Sequence, residues 1–366
     1  MPKRFLLTAF CTLLAPYCLL LLTSCKDVGV PPDRIISDTT DHGPDTTSHN
    51  FTWVIDSLGD ASGGTLYDIA IINDTLAYAV GEIYLRDSSG QIDPQAYNVA
   101  QWNGHVWNVF RIQFLTVCGK ASRTPYPAKA IFAFGSTDIW IAMAGDQITR
   151  WNGSAQTETM CLPFSFAINK LWGANANSMY AVGNGGNICY YDGTSWQKIE
   201  SGTTLHFQDI WGDTFGGSDE ILAVASDPFH SLQRYIAKIA ETTATALPDS
   251  GIPEPLNGVW FRSSRKYYVV GSGIYRKEAL TEDRWNGAPL ELTPYYSNAV
   301  RGTDTNNVVI VGAFADVLHY NGSTWKSYPE LLKGDASLYG VSMKGKLVMA
   351  VGFWGEKALI IRGTQQ

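Results

Sequence analysis

Charge is scarce in this sequence. Asp, Glu, Lys and Arg make up 17% of 366 residues, and the 34 acids outnumber the 27 bases. The net charge of −7 becomes about −9 without Lys3 and Arg4, the bases of residues 1–24, and no basic stripe runs through the chain. Polyanions are held by clustered cations, so nucleic acid and anionic lipid headgroups are excluded as partners. Cysteine is scarce too. Of six, only Cys118, Cys161 and Cys189 follow residue 25, and none stands in a CxxC pair. A zinc knuckle or a thioredoxin-like centre is therefore excluded. HExxH, GxSxG and the P-loop are missing, so no catalytic residue, metal or cofactor is assigned.

What is present begins with an address. Lys3-Arg4 precede an apolar run, Phe5–Leu22, which ends in Leu22-Thr23-Ser24-Cys25. This segment resembles a bacterial lipoprotein signal. The resemblance implies cleavage before Cys25, acylation of that residue, export, and a membrane held through the lipid anchor only. Lys26 replaces the Asp that resembles an inner-membrane retention signal, which favours the outer membrane over the inner. Residues 26–50 are rich in Asp, Thr, Pro and Ser and read as a flexible tether, with His42 and His49 as solvated linker residues. The expected organisation is a signal peptide over 1–24, the lipidated Cys25 and tether over 25–50, and one folded body over 51–366.

That body repeats. Apolar anchors stand at Ile69, Ile131, Leu171, Ile210, Val259, Val300 and Val341, separated by 62, 40, 39, 49, 41 and 41 residues. A glycine follows at Gly81, Gly183, Gly271, Gly312 and Gly352, and an aromatic-Asn/Asp-Gly turn leads on to Trp in the clearest copies. Examples are Tyr191-Asp192-Gly193-Thr194-Ser195-Trp196 and Tyr320-Asn321-Gly322-Ser323-Thr324-Trp325. A period near 40 is that of a four-stranded propeller blade, so the fold class expected is all-β, a seven-bladed β-propeller. Its Trp residues are read as packing between blades. The last copy ends at Ile361-Arg362-Gly363 without an outer strand. Phe51–Leu58, with Trp53, matches the missing piece and is expected to complete the last blade and close the ring.

In this register the chain resembles bacterial lipoproteins with YDGxxW-type repeat propellers, the YCF48-like and BNR-like group. The resemblance spans residues 51–366 and implies an architecture of no single activity. Asp192-Gly193 departs from the sialidase Asp-box, which has a residue between Asp and Gly, so the turn is read as structural. Gly183-Asn184-Gly185-Gly186 joins two expected strands and is read as a hairpin connection.

Departures from the repeat point to a binding face. Long loops at 82–98, 115–127, 226–232 and 242–255 gather on the face where blades connect and second strands meet third strands. Candidate contacts there are Tyr84, Arg86, Tyr97, Arg123, Tyr126, Phe229, His230, Phe314, Asp316, Phe353, Trp354 and Glu356. Cys118–Cys161 is the disulfide to test first, with three free thiols as the alternative. The function expected is a monomeric, non-enzymatic scaffold engaging a protein or glycan of the cell envelope. A carbohydrate-active enzyme is the alternative, and it would need two of Asp87, Asp93, Asp227, Asp316 and Glu356 to converge.

Overall fold

In a computed structural model of the chain, residues 35–37, 46–60, 63–215, 218–227, 232–289 and 291–366 are described. Residues 1–34, with Cys25, lie outside these, as do Phe229 and His230. Seven antiparallel sheets stand side by side around an axis. Their inner strands are Thr65–Asn73, Ala128–Gly135, Ile168–Asn175, His206–Phe215, Leu256–Arg262, Ser297–Asp304 and Ala336–Lys344, for blades 1 to 7. Each packs against the next, and the seventh packs against the first. The seven anchors of the repeat fall one to each inner strand. The hydrophobic core is correspondingly divided into seven clusters, one at every junction between neighbouring blades.

The turn chemistry explains why the repeat folds this way. Asn103, Asn152, Asp192 and Asn321 each accept backbone N–H bonds from the residues two and three positions on, at 2.8–3.0 Å. The glycine after each has φ between +89° and +98°, a conformation a side chain resists. This motif folds the third strand back onto the fourth in blades 1, 2, 3 and 6.

The ring closes at blade 7. Phe51–Leu58 pairs antiparallel with Lys357–Gln365 over eight residues, from Phe51 opposite Gln365 to Leu58 opposite Ala358. It supplies the outer strand that the C-terminal copy lacks. Trp53 lies across Gly363, where a Cβ would fall 2.3 Å from the indole, and packs edge-on against Tyr328 of blade 6 at 4.9 Å.

Within the segment 25–50 expected as a flexible tether, residues 35–37 and 46–50 pack on the folded body, and residues 25–34 and 38–45 lie outside the described residues. Ile35–Ser37 adds a fifth strand to blade 6, with Ile36 opposite Trp325. The edge of that blade offers unpaired backbone groups, and Ile35-Ile36 is the one aliphatic β-branched pair of residues 26–50. Thr47 bonds Asn321 and Asn306. His49 is no solvated linker residue: its Nδ1 lies 2.8 Å from Nδ1 of the buried His319, and its Nε2 lies 2.8 Å from Thr324. Because His319 Nε2 donates to Asn307 Oδ1 at 2.9 Å, its Nδ1 is the acceptor and His49 the donor. Burial, with His49 alongside, pushes the His319 pKa down to about 3.

Cys118 and Cys161 form a disulfide that ties the loop after blade 1 to the outer strand of blade 2. With the cysteines 43 positions apart in sequence, the chain-entropy contribution is about 4 kcal/mol. Cys189 is a buried thiol, its pKa pushed up to about 12 by burial.

Candidate functional site

One irregularity recurs in every blade. Opposite the second strand, the inner-strand residue two positions before the anchor has no pairing partner. It is Tyr67, Lys129, Asn169, Gln208, Asn257, Asn298 and Tyr339 in turn. A β-bulge re-aims the extra residue, and all seven side chains line one axial cavity of about 730 Å³. The Val-Gly signal of the repeat is the other half of this device. A Cβ at Gly81, Gly183 or Gly312 would sit 2.0–2.1 Å from the carbonyl two residues before the bulge residue, that of Thr65, Ala167 or Tyr296, so the strand crosses there only as glycine.

The bulge ring has two chemically distinct arcs. On blades 3 to 6 the side-chain amide N–H groups staple neighbouring backbone: Asn169 to Phe207 O, Gln208 to Ser226 O, Asn257 to Asn298 O and Asn298 to Leu338 O, at 2.7–3.2 Å. Their amide oxygens accept no bond from any described residue and remain as acceptors at the cavity wall. On blades 7, 1 and 2 the ring is aromatic and cationic. Tyr339 stacks on Tyr67 with centroids 6.1 Å apart, and the Lys129 ammonium lies 4.0 Å over the Tyr67 ring. Tyr67 in turn donates to Glu82 at 2.8 Å. Tyr296 also lines the cavity. Its buried hydroxyl has no partner among the described residues, and burial raises its pKa to about 12.

Two buried ion pairs partition the axis below this ring. Asp209 accepts both Arg301 guanidinium nitrogens at 2.8 Å and the backbone N–H of Ile210 and Val259 at 3.0 Å. Asp68 accepts Lys170 at 2.5 Å and the N–H of Ile69 and Ile131 at 2.9 and 3.0 Å. Each aspartate thus bonds its own anchor, the anchor of the next blade, and a cation two blades further round. Burial opposes the Arg301 charge, and the Asp209 carboxylate more than offsets it, raising the guanidinium pKa. Lys170 and Arg301 line both the 730 Å³ cavity and a second one of about 320 Å³ beneath. The upper cavity is a funnel lined by residues at the starts of the inner strands, on the loop face.

Of the twelve residues expected at the binding face, Phe229 and His230 lie outside the described residues, and none of the other ten lines this cavity. Phe314, Tyr339 and Trp354 are 38–43% exposed, and Phe353 packs on Tyr339 at 5.8 Å. Together with Tyr295, 5.0 Å from Phe314, they form an aromatic rim beside the funnel. Asp316 is corrected: it is not an exposed carboxylate but 8% exposed, bonded by Thr293 at 2.7 Å, and burial raises its pKa to about 6. Tyr84 bonds Glu82, Arg86 turns onto Gly90 O, and Tyr97 lies under the Arg111 guanidinium. Arg123 bonds Gln113 O and Thr159, and Tyr126 packs into the core between blades 1 and 2. Glu356 is exposed, its carbonyl capping Gly63 and Gly64.

Of the carboxylates considered for glycoside chemistry, Asp227 alone lines the funnel. Asp93 is paired with Arg111, and Asp87 organises its own loop through Ser89 and Gln91. Among the described residues no group of three or more His, Cys, Asp or Glu is placed to hold a metal.

No family model matches the sequence, and no curated protein matches it. Solved structures do match in fold. YCF48 bound to D1 peptide superposes with a TM-score of 0.63 at 14% identity, covering 88% of this chain and 97% of that one. YCF48 from Cyanidioschyzon merolae gives 0.59 at 12% identity, over 84% and 98%. The WD40 β-propeller domain of Doa1 gives 0.60 at 11% identity, over 87% and 98%. The chain therefore shares the β-propeller fold of the YCF48 and WD40 proteins.

Proposed function

We propose that the protein is a non-enzymatic binding propeller that grips a protein partner on its loop face. By this reading it is exported and held through an acylated Cys25 at the outer membrane. The observation that carries the docking reading is the coincidence of the bulge-lined funnel with the exposed aromatic rim of Phe314, Tyr339 and Trp354. Exposed aromatics beside a concave, polar-lined recess are the usual anchors of a protein interface. The peptide complex of a YCF48 of similar fold is consistent with it.

The test is cross-linking and pull-down from membranes of the source cells. Wild type is compared with a variant trimmed at residues 84–97, with Phe314→Ala/Trp354→Ala, and with Lys346→Ala in a turn at the opposite face. Partners captured by wild type and Lys346→Ala should be lost from the other two. Identical partner sets across all four would sink the docking face. Loss of palmitate labelling in Cys25→Ala tests the anchor.

A further inference from the structure

Lys129 is the unusual member of the bulge ring. Cations elsewhere along the axis are matched: Lys170 to Asp68 and Arg301 to Asp209. Lys129 has no carboxylate within ion-pairing distance among the described residues. Its contact is the Tyr67 ring at 4.0 Å. Asp68 and Glu82 act on it only from further off, opposed by Lys170, and burial pushes its pKa below that of an ordinary lysine. Asp68 is consumed by Lys170 and two backbone N–H groups, and Glu82 by the phenols of Tyr67 and Tyr84. A half-buried ammonium held without an anion is a cost to the folded state, and it is placed where a ligand would relieve it.

Resting on the docking reading above, we propose that the funnel receives a carboxylate carried at the tip of the partner polypeptide, with Lys129 as its counter-ion. The other wall suits the rest of such a tip. Asn169, Gln208, Asn257 and Asn298 line the cavity, and their amide oxygens, which no described residue claims, would accept peptide N–H groups. A charge-assisted bond from Lys129 is the strong, orienting contact of the set. A volume of about 730 Å³ falls in the small-ligand range, so a chain end or one protruding acidic side chain fits, and a folded element does not.

The experiment is calorimetric titration of the full chain with three probes: acetyl-Ala-Ala-Ala as the free acid, acetyl-Ala-Glu-Ala-amide and acetyl-Ala-Gln-Ala-amide. At least one acid peptide should bind tenfold or more tightly than the neutral one. A preference for the first acid names a chain terminus as the source, and for the second a side chain. Lys129→Met should reduce acid binding to the neutral level, Lys129→Arg should largely restore it, and Lys129→Met should melt at or above the wild-type temperature. Equal binding of all three probes, no binding of either acid, or a Lys129→Met variant that keeps acid binding or melts below wild type would overturn the proposal. If the acids fail while partner capture still depends on the aromatic rim, the carboxylate inference alone falls. Capture that ignores the rim overturns the docking reading and, with it, a polypeptide as the source of the acid.

Discussion

Replacing Asp209 by Asn is the sharpest test of how the axis is held. The two carboxylate oxygens join three blades: Ile210 on blade 4, Val259 on blade 5 and Arg301 on blade 6. Both partners of the ion pair are nearly sealed from water, with side chains 5% and 8% exposed. Asparagine keeps the shape and one acceptor but leaves the guanidinium buried beside a neutral group. Opposite charges about 4 Å apart interact by about 4 kcal/mol at an effective dielectric near 20, and breaking buried pairs costs about 3–5 kcal/mol. Urea unfolding followed by tryptophan fluorescence should place the midpoint of Asp209→Asn lower by about 1 M or more, for a slope near 3 kcal/mol per molar. Arg301→Met should also destabilise, and the double variant should lose less than the sum by over about 1 kcal/mol, since the two groups share one interaction. A single variant within about 0.5 kcal/mol of wild type, or a strictly additive pair, would refute the reasoning.

Two further predictions follow from the seam and from the buried titrating groups. Trp53→Ala should cost about 2–4 kcal/mol through its packing on Gly363 and Tyr328, and deleting 51–58 should abolish cooperative unfolding. A deletion variant melting like the full chain would rule out the closure as a source of stability. His319 has a folded pKa of about 3 against 6.5 unfolded, so its contribution is complete above pH 6.5 and is lost as pH falls toward 3. Asp316, at about 6 against 3.8, has the opposite sign: its contribution is complete below pH 3.8 and is lost as pH rises through 6. Relative to wild type, His319→Asn should therefore gain about 2–3 kcal/mol between pH 6.5 and 4.5. Asp316→Asn should lose about 2–3 kcal/mol between pH 6 and 4. Stability profiles parallel to wild type would show that neither group titrates out of register with the unfolded chain.

Blade number, strand order and closure were legible because they are written locally. An anchor every 40 or so residues, an Asn-Gly or Asp-Gly turn, and a final copy missing one strand need only the periodicity of the chain to be seen. The bulge ring belongs to the same repeat, always two residues before the anchor, but carries no signature of its own. Tyr, Lys, Asn and Gln share no residue class, and without the strand register nothing says that these positions turn inward. The long loops of blades 1 and 4 stand out in the sequence, but residues such as Arg86 and Tyr126 satisfy their own loops or the core. The His49–His319 contact was hidden for another reason: 270 residues separate the two rings, and each alone is an unremarkable histidine.

By itself the sequence determined seven blades of four strands and the strand that zips them, because turns, glycines and alternating apolar residues act over a few positions. Only the tertiary structure decided what faces the axis. Closing the ring brings Asp68 to Lys170 and Asp209 to Arg301 across 102 and 92 residues of chain. The bulges turn seven unlike side chains into one wall. That wall is where Lys129 is left holding a charge that nothing in its own blade answers.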